Sequence, residues 1–424
     1  MSRKGFNAIE RFIARFLSHL PFIKDLVKMS YLKLMYIINK KSYKVKCNYK
    51  LSCFGDTDSN TFFGYYDKSP VSKDGYTLCH FTTKKTYQKP GANDNLVIAL
   101  FSPNDYFNPI LKLHTFAYNW QQGSRLHWLD NDLFIFNDFD KSERKYFARV
   151  YSKNTLQEVK RFALPVQDSF FTHYFLSINY RRLLSLRPDY GYRNLPPLSK
   201  EDIEDYEQDG IWKVDYQTGQ IKLLYSLSQI RAVQPKEEFA RATHKINHVM
   251  ISPSGKQFIF LHRYYLGKRR IDRLMLASSR GDSLKLLSNY GMVSHCFWVD
   301  ENTILGYLRG PKNRDGYYII NIVSNSFEHV AKGVFDAYGD GHPHVFSDWF
   351  VTDTYPDKSR MQYLLLCNWK TGEFKLLGEF FHDIPYDGET RCDLHPRFSL
   401  DGKSIYFDSV FEGNRKLYRM DVEF

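Results

Sequence analysis

The chain has 424 residues, 43% of them apolar and 17% aromatic, including 34 Phe and 31 Tyr. That is enough apolar material for one large domain or two ordinary ones, and it argues against a disordered chain. The net charge of +12 is concentrated at one end: residues 1–46 hold eleven Lys and Arg against Glu10 and Asp25, leaving only +3 on the other 378 residues, so the body shows no basic patch of the kind nucleic acid requires.

The first segment reads as helix. Phe6, Ile9, Phe12, Ile13, Phe16, Leu17 and Leu20 recur at three- and four-residue spacing, Pro21 interrupts, and Phe22, Ile23, Leu26, Val27, Tyr31, Leu34, Met35 and Ile38 continue the pattern. No uncharged run reaches the ~18 residues of a membrane span, and no small-residue cleavage site follows an apolar core. A basic amphipathic helical leader over 1–46 suits an anionic membrane surface. The expectation is a cytoplasmic protein held peripherally on the inner face of the cell membrane. The alternative is an extension packed on the domain or on a partner. Six scattered cysteines without a CxxC pair (Cys47, Cys53, Cys79, Cys296, Cys367, Cys392) argue against a zinc ribbon or a disulfide scaffold and fit a reducing compartment.

After Lys46 the pattern changes to short strands and turns. Seven segments share a polar or His-bearing start, an apolar strand, a Ser/Asp/Asn/Gly turn and a second strand. They begin at Tyr65, His127, His173, His248, His295, His344 and His395, 46–75 residues apart. Outer hairpins such as "IWKVDYQTGQIKLLY" and "YLLLCNWKTGEFKLL" lie between them. Four short strands per repeat is the spacing of propeller blades. The prediction is an all-β fold, a seven-bladed β-propeller over 47–424, closed by strand 49–54 pairing near 417–422.

Six of the seven repeats start with His, in a chain with only 14 His. The first strand of each blade lines the central channel, so the six imidazoles predict a ligand site at one mouth. Tyr65, Tyr66 and Asp67 take that place in the first repeat. "LRPDYGYRN" offers Arg187, Asp189, Tyr190, Tyr192 and Arg193; "GDGHPH" offers Asp340 and His342; "RCDLH" offers Arg391 and Asp393. Arg can hold a carboxylate with two parallel hydrogen bonds, and His or Tyr can move a proton at neutral pH, so the set suits an anionic substrate. His342 and His344, two apart on a strand, share a face, and with His395 they suggest a divalent metal site.

"HVMISPSGKQFIFLHR", "GHPHVFS" and "HPRFSLDGKSIYFDSVFEGNRKLYRMDV" resemble the repeats of oligogalacturonate lyase. With "FFGYYDKSP", "DYGYRN" and "RCDLHPRFS" the set is also similar to the propeller-type ulvan lyases, over roughly residues 55–424. The "SxDGK…IYF" element is shared with many TolB-like propellers that catalyse nothing. The resemblance implies seven blades and β-elimination on a uronic-acid glycan, with manganese on His ligands in the pectin type and His, Tyr and Arg roles in the ulvan type. Carried to this chain, it implies His127, His248 and Tyr190 as acid–base residues. It implies Arg193, with Arg187, Tyr66, Asp67 and Arg391, as substrate contacts, and His342, His344 and His395 as ligands of manganese or a similar ion. Similar proteins are encoded in bacterial surface-polysaccharide clusters. The expected function is therefore a lyase-like step on an acidic polysaccharide or lipid-linked glycan in capsule or O-antigen metabolism. A non-catalytic glycan-binding scaffold and a glycosyltransferase of unfamiliar fold are the alternatives.

Overall fold

The computed structural model describes residues 21–423; the first amphipathic run, Phe6–Leu20, lies outside them. The remainder forms seven antiparallel sheets, one for each repeat, in a seven-bladed β-propeller. The innermost strands are Asn60–Phe62, His127–Trp128, Asp168–Phe170, Thr243–Ile251, Val293–Trp298, His344–Phe346 and Arg397–Phe398, in blades 1 to 7. Each blade grows outward by local hairpins, so a strand–turn–strand pattern in the sequence suffices to specify it.

The blades pack through aromatic and branched side chains. Equivalent hairpin turns show how neighbours are set. Gly255 and Gly402 have φ of +71° and +74°, and a Cβ at either would run into Phe170 or Phe346 of the preceding blade. Only glycine satisfies both the backbone and the close approach.

The ring closes as the sequence predicts. Leu51–Cys53 forms the outer strand of blade 7, with Leu51 opposite Met420 and Cys53 opposite Tyr418. The strand before it, Val45–Cys47, adds a fifth strand to blade 6, with Val45 opposite Phe380. The 46/47 boundary between leader and body therefore falls inside a strand. The helical part described is Pro21–Asn39. Its Tyr36 ring lies 5.6 Å from Phe381 of blade 6, while Leu34, Ile37 and Ile38 are exposed.

Two departures from the regular pattern build the site. In blade 1, Phe62 pairs with His80 and Val71 bridges to Thr77, so the residues between them form an excursion that carries Tyr65, Tyr66 and Asp67. The sequence reading starts this repeat at Tyr65, but the strand precedes it. In blade 3 the connection from Ile178 to Gly210 carries helix Tyr180–Leu186 and the turn Pro188–Tyr190 over the same mouth.

Candidate functional site

Four imidazoles form an arc across consecutive blades. Ring centroids are 5.4 Å apart for His248–His295, 4.1 Å for His295–His342 and 4.2 Å for His342–His395. Tyr65, from the blade 1 excursion, closes the ring at 5.2 Å from both His248 and His395. All five side chains are buried. His248 sits at a register shift between Asn247 and Met250, and His295 at one between Val293 and Tyr307's partner position. His248 and His395 have φ of +50° and +43°, an irregularity that re-aims a side chain out of the regular pleat. Tyr65 hydrogen-bonds His248 Nδ1, with its oxygen 3.2 Å from Nε2. Tyr190 comes down from the blade 3 connection, edge-on to His248 at 5.5 Å and to Tyr65 at 6.1 Å.

The equivalence of the six His starts is therefore revised. Counted back from the hairpin turns, the channel position in blades 2 and 6 is Arg125 and His342, two residues before His127 and His344. His127 donates from Nδ1 to the Arg125 carbonyl (2.7 Å) in its own blade and accepts at Nε2 from Ser169 (2.6 Å) of blade 3, so both its nitrogens are taken up by structural bonds. His344 is wedged 4.4 Å from Phe297 and 5.9 Å from Phe398. His173 is exposed in a hairpin turn. A two-residue offset along a strand preserves the facing, which is why the sequence pattern concealed the difference.

Among the expected substrate contacts, Asp67 takes two hydrogen bonds from buried Arg125 (3.1 and 2.6 Å), and Tyr66 donates to the Cys296 carbonyl (2.9 Å). Both brace the excursion that presents Tyr65. Arg193 is ion-paired to Glu389, which Lys89 also holds at 2.7 Å; this pairing joins the blade 3 connection to the 388–391 segment above the mouth. Arg187 lies over the Tyr190 ring at 5.3 Å with its Nε 3.0 Å from Asp189. Arg391 binds Asp393 through two bonds of 2.6 and 2.7 Å and lies over Tyr355.

Among the described residues, His342, Asp393 and His395 bring one ligand atom each within 4.8 Å of one another. Asp393 thus stands where the sequence reading placed His344. Asp353, not singled out from the sequence, organises the group. It accepts from His342 Nδ1 (2.8 Å) and from the backbone N–H of His395 (3.0 Å), leaving His342 Nε2 for a ligand. His395 Nε2 is buried without a hydrogen-bond partner. An orphaned imidazole nitrogen, an oriented imidazole and a carboxylate fit a divalent cation.

Burial, then Arg263 and His295, push the His248 imidazole well below its ordinary value. Burial also raises the hydroxyls of Tyr65 and Tyr190. At neutral pH, His248 is therefore a free base beside two protonated phenols. Burial opposes a charge on His342, but Asp353 overrides it and raises that imidazole. Despite burial, Arg391 holds Asp393 far below the carboxylate range. Lys245 and Arg263, near His248 on blade 4, are signalled in the sequence only by a charge inside a long apolar strand; Arg270 follows the turn at Gly267 and lies at the start of the next strand.

Fold and site together define a seven-bladed propeller with a His/Tyr/Arg cluster buried on its axis at one mouth. Two solved structures are similar to it in fold. One is an oligogalacturonate lyase in complex with manganese, with TM-score 0.58 and 15% identity over 91% of this chain and 95% of that one. The other is oligogalacturonate lyase from Vibrio parahaemolyticus, with TM-score 0.56 and 17% identity over 90% and 99%. At this identity the likeness establishes the fold. No protein-family model matches the chain, and no curated protein does.

Proposed function

We propose that the protein is a lyase-like enzyme that cleaves an acidic, uronate-containing glycan by β-elimination at this mouth. The observation that carries the reading is a buried His248, hydrogen-bonded to Tyr65 and edge-on to Tyr190, beside the His342/Asp393/His395 group. The oligogalacturonate lyases of like fold support it. His248 removes the C5 proton of the uronate. The C–H electron pair forms the C4–C5 double bond, the C4–O bond breaks, and Tyr190 protonates the departing oxygen. Tyr65 holds the His248 ring in place. A divalent cation held by His342, Asp393 and His395 would neutralise the uronate carboxylate and so acidify the C5 proton. Ultraviolet absorbance of the unsaturated product, measured on a panel of oligouronides with added manganese, tests the reading. Absorbance should rise on at least one substrate, and the rise should slow when the metal is chelated. Oligouronide binding without any rise in absorbance would instead make the protein a glycan-binding scaffold.

We further propose that the glycan is a bacterial surface polysaccharide, capsule or O-antigen, or its lipid-linked precursor, handled at the inner face of the membrane. No helix among the described residues is long and apolar enough to cross a membrane. The exposed Leu34, Ile37 and Ile38 of helix Pro21–Asn39, together with exposed Lys33 and Lys40, support surface attachment. The full chain should sediment with anionic liposomes, and a chain lacking residues 1–39 should not. Equal sedimentation of the two would refute the attachment.

A further inference from the structure

The strands of blade 4 are nine, ten, ten and eight residues long. Their register sets Lys245 opposite Arg263, Arg263 opposite Asp272, and Tyr265 opposite Arg270. Lys245 is fully buried, and its Nζ has no hydrogen-bond partner. Arg263 lies 2.9 Å from Asp272 and Arg270 lies 3.4 Å from the same carboxylate oxygen. Burial and then Arg263, Arg187 and Arg270 push the Lys245 ammonium well below its ordinary value, and Asp272 opposes them. Two guanidinium groups thus share the Asp272 carboxylate, Lys245 has no partner, and Arg187 is tied to Asp189.

The Arg263–Asp272 pair serves the fold, since Arg263 donates to the Val293 carbonyl (3.2 Å) and Asp272 accepts from the Val293 N–H (3.3 Å), but that pairing does not call for a buried lysine beside it. A buried ammonium without a partner is strongly unfavourable, and three guanidinium groups beside it make it more so. An oxyanion would complete the cluster, accepting from Lys245 and from guanidinium N–H groups. The side chains of Arg187 and Arg270, 28% and 35% exposed, are the members of the cluster that reach solvent. The cluster adjoins the proposed base: Lys245 lies on the same strand as His248, and Arg263 bonds the carbonyl of Val293, two residues before His295.

We propose that Lys245, Arg263, Arg270 and Arg187 form a second anion subsite, which takes an oxyanion borne by the substrate next to the bond that is cleaved. In a uronate chain this is the carboxylate of the neighbouring sugar. The subsite stands on the blade 4 geometry, and only the identity of its anion rests on the lyase reading.

Calorimetry on the full chain tests it with inorganic sulfate, galacturonate and digalacturonate. Lys245→Met removes the buried charge and keeps the volume. Arg270→Gln acts at the half-exposed rim and leaves the core untouched. Both should weaken sulfate binding by about tenfold, and Lys245→Met should unfold at the wild-type temperature or above it. Digalacturonate should bind the wild type about tenfold more tightly than galacturonate, and Arg270→Gln should lose that advantage. Sulfate affinity unchanged in both variants overturns the subsite. Weakened sulfate binding with the digalacturonate advantage intact shows a free anion there, and overturns the substrate-borne assignment. Sulfate binding that depends on Lys245 and Arg270, with neither uronide bound by the wild type, upholds the subsite and sinks the uronate reading.

Discussion

Asparagine at His248 is expected to lower turnover by about 10²–10⁴-fold, the usual cost of removing a general base, and phenylalanine at Tyr190 should do the same by removing the acid. Asparagine is the chosen replacement because position 248 has a φ of +50°, which Asn tolerates far better than Ala. Loss of activity can then be assigned to the imidazole and not to backbone strain. Tyr190→Phe deletes one oxygen and keeps the ring that packs edge-on to His248 and Tyr65. Both variants should give wild-type circular dichroism and melting. Steady-state rates on whichever oligouronide the wild type cleaves decide the matter. Rates near wild type in either variant would remove that residue from the chemistry, and a collapse of the melting transition would make it structural.

The propeller is legible in the sequence because each blade is built from neighbours in the chain. A hairpin needs only alternating apolar residues and a turn such as "SPSG" or "SLDG", and both recur at blade spacing. The closing strand is legible because Leu51–Cys53 reads as a strand without a local partner, while Lys416–Asp421, paired on one side with Ser404–Ser409, offers its other edge. The site is less so. His342 and His344 have the same side-chain parity, as do Arg125 and His127. What distinguishes a channel residue from a packing residue is a local irregularity, such as the positive φ at Arg125, His248 and His395, and composition does not announce that. The pairings are also remote. Asp67 meets Arg125 across 58 residues and Arg193 meets Glu389 across 196. An arginine that reads as a free substrate contact in its own loop is thus neutralised from another blade. Lys245 shows the reverse case: it sits in a strand that otherwise reads as buried, and it proves to be a charge without a partner.

Alanine at Asp408 is expected to destabilise the protein by about 3–5 kcal/mol, the range for removing one partner of a buried ion pair. Asp408 lies on the second strand of blade 7, where the ring closes. Its carboxylate accepts from the backbone N–H groups of Phe63 (2.9 Å) and Gly64 (3.0 Å) and from Arg397 Nη2 (3.1 Å). Neither charged side chain reaches solvent, with exposures of 0% for Arg397 and 2% for Asp408. Burial is the largest influence on both partners. It raises the carboxyl and lowers the guanidinium in spite of their attraction, so the pair is costly to bury and severe to break. The alanine variant strands a guanidinium and two amides, and it releases the segment that carries Tyr65 into the site. Denaturant unfolding measures the loss, and catalytic activity should fall further than the folded fraction does. The double variant Asp408→Leu/Arg397→Met removes both charges and should recover part of the stability lost by Asp408→Ala, because an apolar pair carries no desolvation penalty. It leaves the two amides unpaired, so recovery should be incomplete and Tyr65 should remain loosely held. A loss under about 1 kcal/mol in the single variant would mean that water reaches Arg397, and that the other bonds between blades 7 and 1, such as those of Arg415 to Asn60 and Leu417 to Thr61, suffice to hold the closure.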